Sequence, residues 1–155
     1  MAAAAHVHDI LIVEDDPSIR YLEAVALDRR GMRVMVAEDG RQALDLLKQR
    51  NFCLVILDLI MPKVEGYMVI KYIEENKPSI PIIVVTGLKP DELSAVDRRV
   101  VKQILFKPIE LEKLIEDVRG LCEVEGAESA SGATASRSSR KSAAAGTPRK
   151  KPRLK

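Results

Sequence analysis

Three acidic residues follow directly on an apolar run near the start of the chain. Residues 10–13 contain no polar side chain, and Glu14, Asp15 and Asp16 come next, with Pro17 behind them. Carboxylates crowded in this way disfavour one another's ionised form unless a positive charge sits among them. Hard oxygen ligands of this kind suit Mg2+ or Ca2+. The pattern predicts an acidic cation site at the carboxyl end of a buried strand.

Three further polar residues each close another apolar run. Asp58 ends the run that begins at Phe52, Thr86 ends the run that begins at Pro81, and Lys107 follows Phe106. In an open parallel sheet, ligands bind outside the carboxyl ends of the strands, where the winding reverses direction. The acidic cluster and these three residues are therefore expected to converge on one edge of one sheet.

A hydroxyl and an ammonium beside carboxylates and a cation favour phosphoryl transfer. Asp58 is the candidate nucleophile, because a carboxylate can accept a phosphoryl group as an aspartyl phosphate. We expect Asp16 and Asp58 to bind the cation directly, and Asp15 to bind it through a water molecule. Lys107 is expected to pair with the resting carboxylates and then with the phosphoryl oxygens. The hydroxyl of Thr86 would turn onto the phosphoryl group once that group arrives.

Strands alternate with helices along the chain, which predicts an α/β fold with five parallel strands in a doubly wound sheet. The predicted strands cover residues 10–13, 33–37, 52–57, 81–85 and 104–106. The predicted helices begin near Pro17, Gly40, Gly66, Pro90 and Ile109, and the segment from Pro90 to Lys102 is the least amphipathic. Apolar residues predict the buried face of the first helix as Ile19, Leu22, Val25 and Ala26.

The net charge of +2 conceals two oppositely charged parts. Residues 1–128 carry a net charge of −6, whereas residues 129–155 carry +8 and no acidic residue. We expect a short disordered arm over residues 1–7, a domain over 8–123 and a disordered basic tail over 124–155. The tail is a candidate for non-specific binding to nucleic acid or an acidic partner. A solvated arm, or a segment that folds on a partner, remains an alternative.

Targeting signals and cysteine spacing give little information about function. No basic residue precedes an apolar stretch at the N-terminus, and no apolar run reaches the length of a membrane span, so we expect a cytoplasmic protein with no membrane contact. Cys53 and Cys122 lie far apart without metal-ligand spacing. Because Cys53 opens an apolar run, it is expected to be a buried reduced thiol.

From about His8 to Leu121 the chain resembles a receiver domain of the two-component response regulators. The matching motifs are Glu14-Asp15-Asp16, Asp58-Leu-Ile-Met-Pro62 with Gly66 after it, Thr86-Gly87 and Lys107-Pro108. The resemblance implies a flavodoxin-like fold and a bound Mg2+. We expect a phosphoacceptor with no separate catalytic output domain, and therefore not an enzyme. It also implies phosphoryl transfer to Asp58 from a phosphohistidine on a sensor histidine kinase or phosphotransfer protein. The backbone carbonyl of Ile60 would complete the metal shell.

Two departures from the family pattern bear on function. Ile104 stands where the family usually has Tyr or Phe, an aromatic that couples phosphorylation to the surface of the fourth helix and fifth strand. Ile60 and Leu88 flank the path of the hydrolytic water in the family and offer no polar group to orient it. The sequence therefore predicts slow self-dephosphorylation.

The leading hypothesis is a stand-alone receiver that signals to an unknown downstream protein when Asp58 is phosphorylated. Two alternatives stay open. One is a receiver-like scaffold whose binding does not depend on phosphorylation, and the other is a switch that controls a polyanion-binding tail.

Overall fold

The computed structural model describes residues 9–61, 66–94, 96 and 98–122. The predictions of an arm over residues 1–7 and a tail over 124–155 lie outside the described residues. Five parallel strands form one sheet in the order β2-β1-β3-β4-β5. The strands are β1 (Asp9–Val13), β2 (Arg33–Ala37), β3 (Leu54–Leu57), β4 (Ile82–Thr86) and β5 (Val101–Phe106).

This order confirms the predicted doubly wound parallel sheet. The chain runs from β1 outward to β2 and then returns past β1 to form β3, so the winding reverses between β1 and β3. A crevice opens at the carboxyl ends of the strands on either side of such a reversal. Glu14 and Asp58 follow these two strands, one residue beyond the end of each.

In the part of the chain that the structure describes, four α-helices cover the sheet: α1 (Pro17–Asp28), α2 (Gly40–Gln49), α3 (Gly66–Asn76) and α4 (residues 111–122). The Asp16 carboxylate caps α1 by accepting from the backbone N–H groups of Ser18 and Ile19, and Pro17 occupies the first turn. Gly31 has a φ of +83°, a backbone conformation that glycine adopts without strain, and it ends the turn after α1.

The central strands are apolar throughout because both of their faces are covered. Successive side chains of β1 point to opposite sides of the sheet. Leu11 packs in the core that also contains Ala43 of α2 and Val69 of α3. Ile10 and Ile12 pack in the core of the other face, with the residues contributed by α1 and α4. These two cores hold the strand ends in a fixed arrangement.

The predicted buried face of α1 is confirmed only in part, because Ala26 packs partly buried against the core but Leu22 does not. The helix is rotated so that Glu23 and Leu27, one turn apart, face the sheet. Leu22, predicted to be buried, is instead 54% exposed. The prediction used apolar residues alone and therefore did not include Glu23, which the structure buries.

The segment between β4 and β5 also differs from the sequence prediction. In place of the helix predicted from Pro90 to Lys102, the described residues contain a short 3-10 helix over Pro90–Leu93. β5 begins at Val101, three residues earlier than predicted, and its register against β4 shifts between Ile82 and Ile83. Val100 and Val101 are both buried, and β-branched residues favour strand over helix.

The expectation of a reduced Cys53 is wrong, because Cys53 and Cys122 form a disulfide. Their Cα atoms are 5.8 Å apart although 69 residues separate them in sequence. Cys53 directly precedes β3 and Cys122 lies in the last turn of α4. The two positions become neighbours only because α4 packs across the face of the sheet that β3 helps to form.

We expect Cys122→Ser to lower the free energy of unfolding by about 2–4 kcal/mol under oxidising conditions, because the bond restricts the unfolded chain. Urea denaturation with and without a reductant measures the effect. The reductant should bring the native protein to the stability of the variant. Equal stability of the native protein with and without reductant would contradict the prediction.

Candidate functional site

The predicted site residues lie at the carboxyl edge of the sheet, held there by backbone hydrogen bonds that extend the strand pairing. The N–H of Glu14 donates to Ala37 O at 3.1 Å, and the N–H of Asp58 donates to Val13 O at 3.0 Å. Thr86 closes β4, and its carbonyl accepts from the N–H of Lys107 at 2.8 Å. The sheet therefore fixes the backbone position from which each of these side chains extends.

The Lys107 ammonium joins two of the strand ends. Its Nζ lies 3.0 Å from Glu14 Oε1 and 3.1 Å from Asp58 Oδ2. The other carboxylate oxygens accept from the backbone: Glu14 Oε2 from the N–H of Asp16 at 3.1 Å, and Asp58 Oδ1 from the N–H of Ile60 at 3.1 Å. Each carboxylate is thus held at both oxygens. Asp58 itself is buried, with 5% of its surface exposed.

Burial dominates the electrostatics of this group. It raises the pKa of Glu14, as does the nearby charge of Asp58, against the lowering effect of the hydrogen bonds from Lys107 and the Asp16 N–H. Burial alone would lower the pKa of Lys107, but its hydrogen bonds to Glu14 and Asp58 outweigh this and raise it. A simple ion pair would move the two pKa values in opposite directions. Here one ammonium serves two carboxylates, so Lys107 holds its proton firmly while Glu14 remains incompletely compensated.

Three carboxylates come close enough to share a cation. Glu14, Asp15 and Asp58 each offer an oxygen, and these oxygens lie within 4.8 Å of one another. Lys107 supplies a single positive charge against the three, and oxygen ligands with excess negative charge fit a hard divalent ion such as Mg2+. The donor set of this structure therefore fits the cation that the sequence suggested.

Asp16, which the sequence assigned as a direct ligand, is not brought into this group. Its Oδ1 accepts from Ser18 N at 2.9 Å and from Ile19 N at 3.2 Å, so the carboxylate caps α1. Glu14 lies in the group, although the sequence analysis gave it no individual role. Pro17 was the available signal, because a proline in the first helical turn marks the preceding acid as the cap.

Thr86 and Gly66 complete the surroundings of Asp58. Thr86 is fully buried, and its Oγ1 accepts from the N–H of Leu88 at 3.2 Å. A Cβ at Gly66 would lie 2.5 Å from the carbonyl oxygen of Asp58 and 2.6 Å from the Cα of Leu59. Only glycine allows α3 to approach so closely. Ile104, the residue that departs from the family pattern, packs partly buried against the core on the α2 and α3 side.

A further carboxylate, Glu23 of α1, was not foreseen from the sequence. It is 1% exposed, and neither of its oxygens has a hydrogen-bond partner in the described part of the chain. Its pKa is raised to about 8, mainly by burial and to a smaller extent by the charges of Glu14 and Asp58, while the charge of Lys107 opposes the shift. Glu14, Asp58 and Lys107 form what we call the strand-end site. The pKa of Glu23 therefore depends on the charges of this site.

Comparison with known proteins agrees with this geometry. A family model described as the response regulator receiver domain matches residues 10–119. The DNA-binding dual master transcriptional regulator RpaA of Synechocystis is 34% identical over 116 residues, which cover 72% of this chain and 48% of that protein. A probable transcriptional regulator, ycf27, of Galdieria sulphuraria is 40% identical over 115 residues, covering 70% of this chain and 44% of that protein.

Solved structures give the same result. The response regulator TrrA of Thermotoga maritima, in complex with Mg2+ and BeF, has a TM-score of 0.67 and 31% identity over 74% of this chain and 99% of that one. A CheY-like receiver domain from Methanospirillum hungatei has a TM-score of 0.72 over 79% of this chain and 98% of that one, at 24% identity. This chain belongs to the receiver-domain family of two-component response regulators. It spans about half the length of the transcriptional regulators that it matches.

We expect Glu23→Gln to change how stability depends on pH. The pKa of Glu23 rises from 4.5 to about 8 on folding, so the folded state keeps a proton that the unfolded state releases between these values. The contribution of Glu23 to native stability therefore falls by about 5 kcal/mol as the pH rises from 4.5 to 8. The Gln variant lacks this loss, and its advantage over the native protein should grow across that range.

Urea denaturation at a series of pH values, with the exposed Glu116→Gln as the matched control, measures the difference. Native, Glu23→Gln and Glu116→Gln profiles that run parallel would contradict the burial of an unpaired carboxyl at Glu23.

Proposed function

We propose that Asp58 accepts a phosphoryl group from a phosphohistidine on a sensor histidine kinase or phosphotransfer protein. The observation that supports this most is the bridge from Lys107 to both Glu14 and Asp58, which holds a carboxylate, its counter-charge and a second acid at one strand edge. A nucleophile fixed in this way needs little rearrangement to meet an incoming phosphorus atom.

Glu14, Asp15 and Asp58 would hold Mg2+ together with the backbone carbonyl of Ile60. The Ile60 peptide already lies beside Asp58, because its N–H donates to Asp58 Oδ1. Bound Mg2+ supplies positive charge that neutralises the phosphoryl oxygens as transfer proceeds. Asp16 keeps its cap on α1 in this assignment and fixes the direction in which Asp15 leaves β1.

Three side chains of the protein divide the remaining work. A carboxylate oxygen of Asp58 attacks phosphorus, the P–N bond to the histidine breaks, and the imidazole nitrogen keeps the electron pair. The Lys107 ammonium moves from the Asp58 carboxylate to a phosphoryl oxygen. The Thr86 hydroxyl, which accepts from the N–H of Leu88 in this structure, turns to donate to another phosphoryl oxygen. The movement of Lys107 and Thr86 carries the change of state to the rest of the domain.

The phosphorylated domain would signal by altering its affinity for a downstream protein, and it would work in the cytoplasm. None of the described helices is long and apolar enough to cross a membrane.

Disulfides are uncommon in reducing compartments such as the cytoplasm, so a fraction of the protein would carry Cys53 and Cys122 as free thiols in that compartment. Thiol alkylation in freshly lysed cells, compared with alkylation after reduction, measures that fraction; complete protection before reduction would argue against a cytoplasmic location.

We expect a small phosphodonor such as acetyl phosphate to add one phosphoryl group in the presence of Mg2+. Asp58→Asn should prevent the addition, Lys107→Ala should slow it by about 100-fold, and a chelator should stop it. Intact-protein mass spectrometry reports each result, with the exposed Asp45→Asn of α2 as the matched control. Labelling of Asp58→Asn at the native rate would overturn the proposal.

The same labelled protein should lose its phosphoryl group over minutes or longer. Ile60 is 56% exposed, and neither it nor the partly buried Leu88 can orient an attacking water. Ile60→Gln, which places an amide at this position, should shorten the lifetime. Loss from the native protein within seconds would contradict the prediction.

Two other roles can be separated from this one. The first is a scaffold whose binding does not depend on phosphorylation, which Ile104 motivates. In that case a beryllofluoride mimic should leave the set of proteins captured from a lysate unchanged. A tail effector is motivated by the +8 charge of residues 129–155. Duplex-DNA binding that survives deletion of these residues would exclude the tail as the effector.

A further inference from the structure

A cavity of about 250 Å3 lies between α1 and the segment that follows β5. Most of its wall is apolar and is contributed by Ile19, Leu22, Pro108, Ile109 and Leu111. Two ionisable residues, Glu23 and Lys107, also line it. The ammonium of Lys107 forms ion pairs with Glu14 and Asp58, so its positive charge is already paired at the strand-end site.

Glu23 is the polar feature of this cavity that the domain itself does not satisfy. It is 1% exposed, and both of its oxygens lack a hydrogen-bond partner among the residues that the structure describes. Leaving a buried polar group unpaired is costly, so native proteins rarely do so without a partner from outside the chain. Glu23 lines this cavity as its acidic residue, beside Lys107 and an otherwise apolar wall.

We propose that this cavity binds a small primary alkylammonium ion. The ammonium would pair with Glu23, and the alkyl chain would lie along Ile19, Leu22 and Leu111. Phosphoryl acceptance by Asp58 plays no part in this assignment.

The chemistry of the cavity favours this ligand over its competitors. A single water occupies about 30 Å3 and needs two to four polar partners, which the apolar wall does not offer. A purely apolar ligand would fill the volume but leave Glu23 unpaired. A carboxylate ligand would be repelled by Glu23 and, at longer range, by Glu14 and Asp58, which outnumber the one charge of Lys107. An alkylammonium ion supplies both a donor group with opposite charge and an apolar body.

The test uses the full chain, isotopically labelled, and follows backbone amide shifts during titration with hexylamine. Hexanol, which has the same chain without the charge, is the matched ligand. The titration is run at about pH 9, because the pKa of Glu23 is about 8 and the carboxylate form is needed for pairing. Glu14, Asp58 and Lys107 are the charged groups that act on Glu23, and their effect is included in that pKa.

We expect shifts at α1 and residues 107–111, and hexylamine binding at least about 10-fold tighter than hexanol binding, as for a hydrogen bond to a charged group. Glu23→Gln should bring hexylamine down to the affinity of hexanol while hexanol binding stays unchanged, which shows that the cavity is intact. The exposed Asp28→Asn of the same helix should leave both affinities as they are.

The proposal would be overturned if hexylamine and hexanol bound with equal affinity, or if Glu23→Gln bound hexylamine as tightly as the native protein. It would also be overturned if the shifts lay elsewhere in the domain, or if neither ligand bound. Asp58→Asn separates this proposal from phosphoryl acceptance. It abolishes labelling at the strand-end site, whereas the preference for hexylamine over hexanol should persist.

Discussion

The arrangement of this domain depends on one ammonium shared between two buried carboxylates. Glu14 and Asp58 follow neighbouring strands, and without Lys107 two like charges would face each other in a place with little solvent. The bridge offsets that repulsion only in part, because Asp15 adds a third acid. The site is therefore stable enough to fold and still electrostatically unsatisfied. Carboxylate oxygens with residual negative charge are ligands that suit a hard divalent cation.

The parallel sheet is what makes such a bridge possible. Glu14, Asp58 and Lys107 stand at widely separated points of the chain, and each begins from a backbone position that a strand-end hydrogen bond holds. The order β2-β1-β3-β4-β5 places the two acids on adjacent strands and the lysine two strands further on. A long, flexible side chain can span that distance, whereas a short one could not. The choice of lysine thus follows from the position of β5.

Much of this could be predicted from the sequence, because apolar strands that each end in one polar residue define both the sheet and its edge. What failed depended on contacts that periodicity does not contain. Asp16 was predicted to be a ligand, and in the structure its carboxylate accepts from the first backbone N–H groups of α1. The buried face of α1 was predicted from apolar residues alone, which left out the buried Glu23. Cys53 and Cys122 became partners only through packing between α4 and the sheet, which spacing along the chain cannot show.

The close approach of Gly66 to the peptide of Asp58 has a mechanical consequence. Because the first residue of α3 lies directly against the carbonyl of Asp58 and against Leu59, no free space separates the backbone of Asp58 from the helix. Any displacement of that peptide must push or release α3, whose opposite end contacts neighbouring elements through Ile73 in the shared core. The glycine therefore places the backbone of Asp58 and a helix of eleven residues in direct contact, with no gap between them.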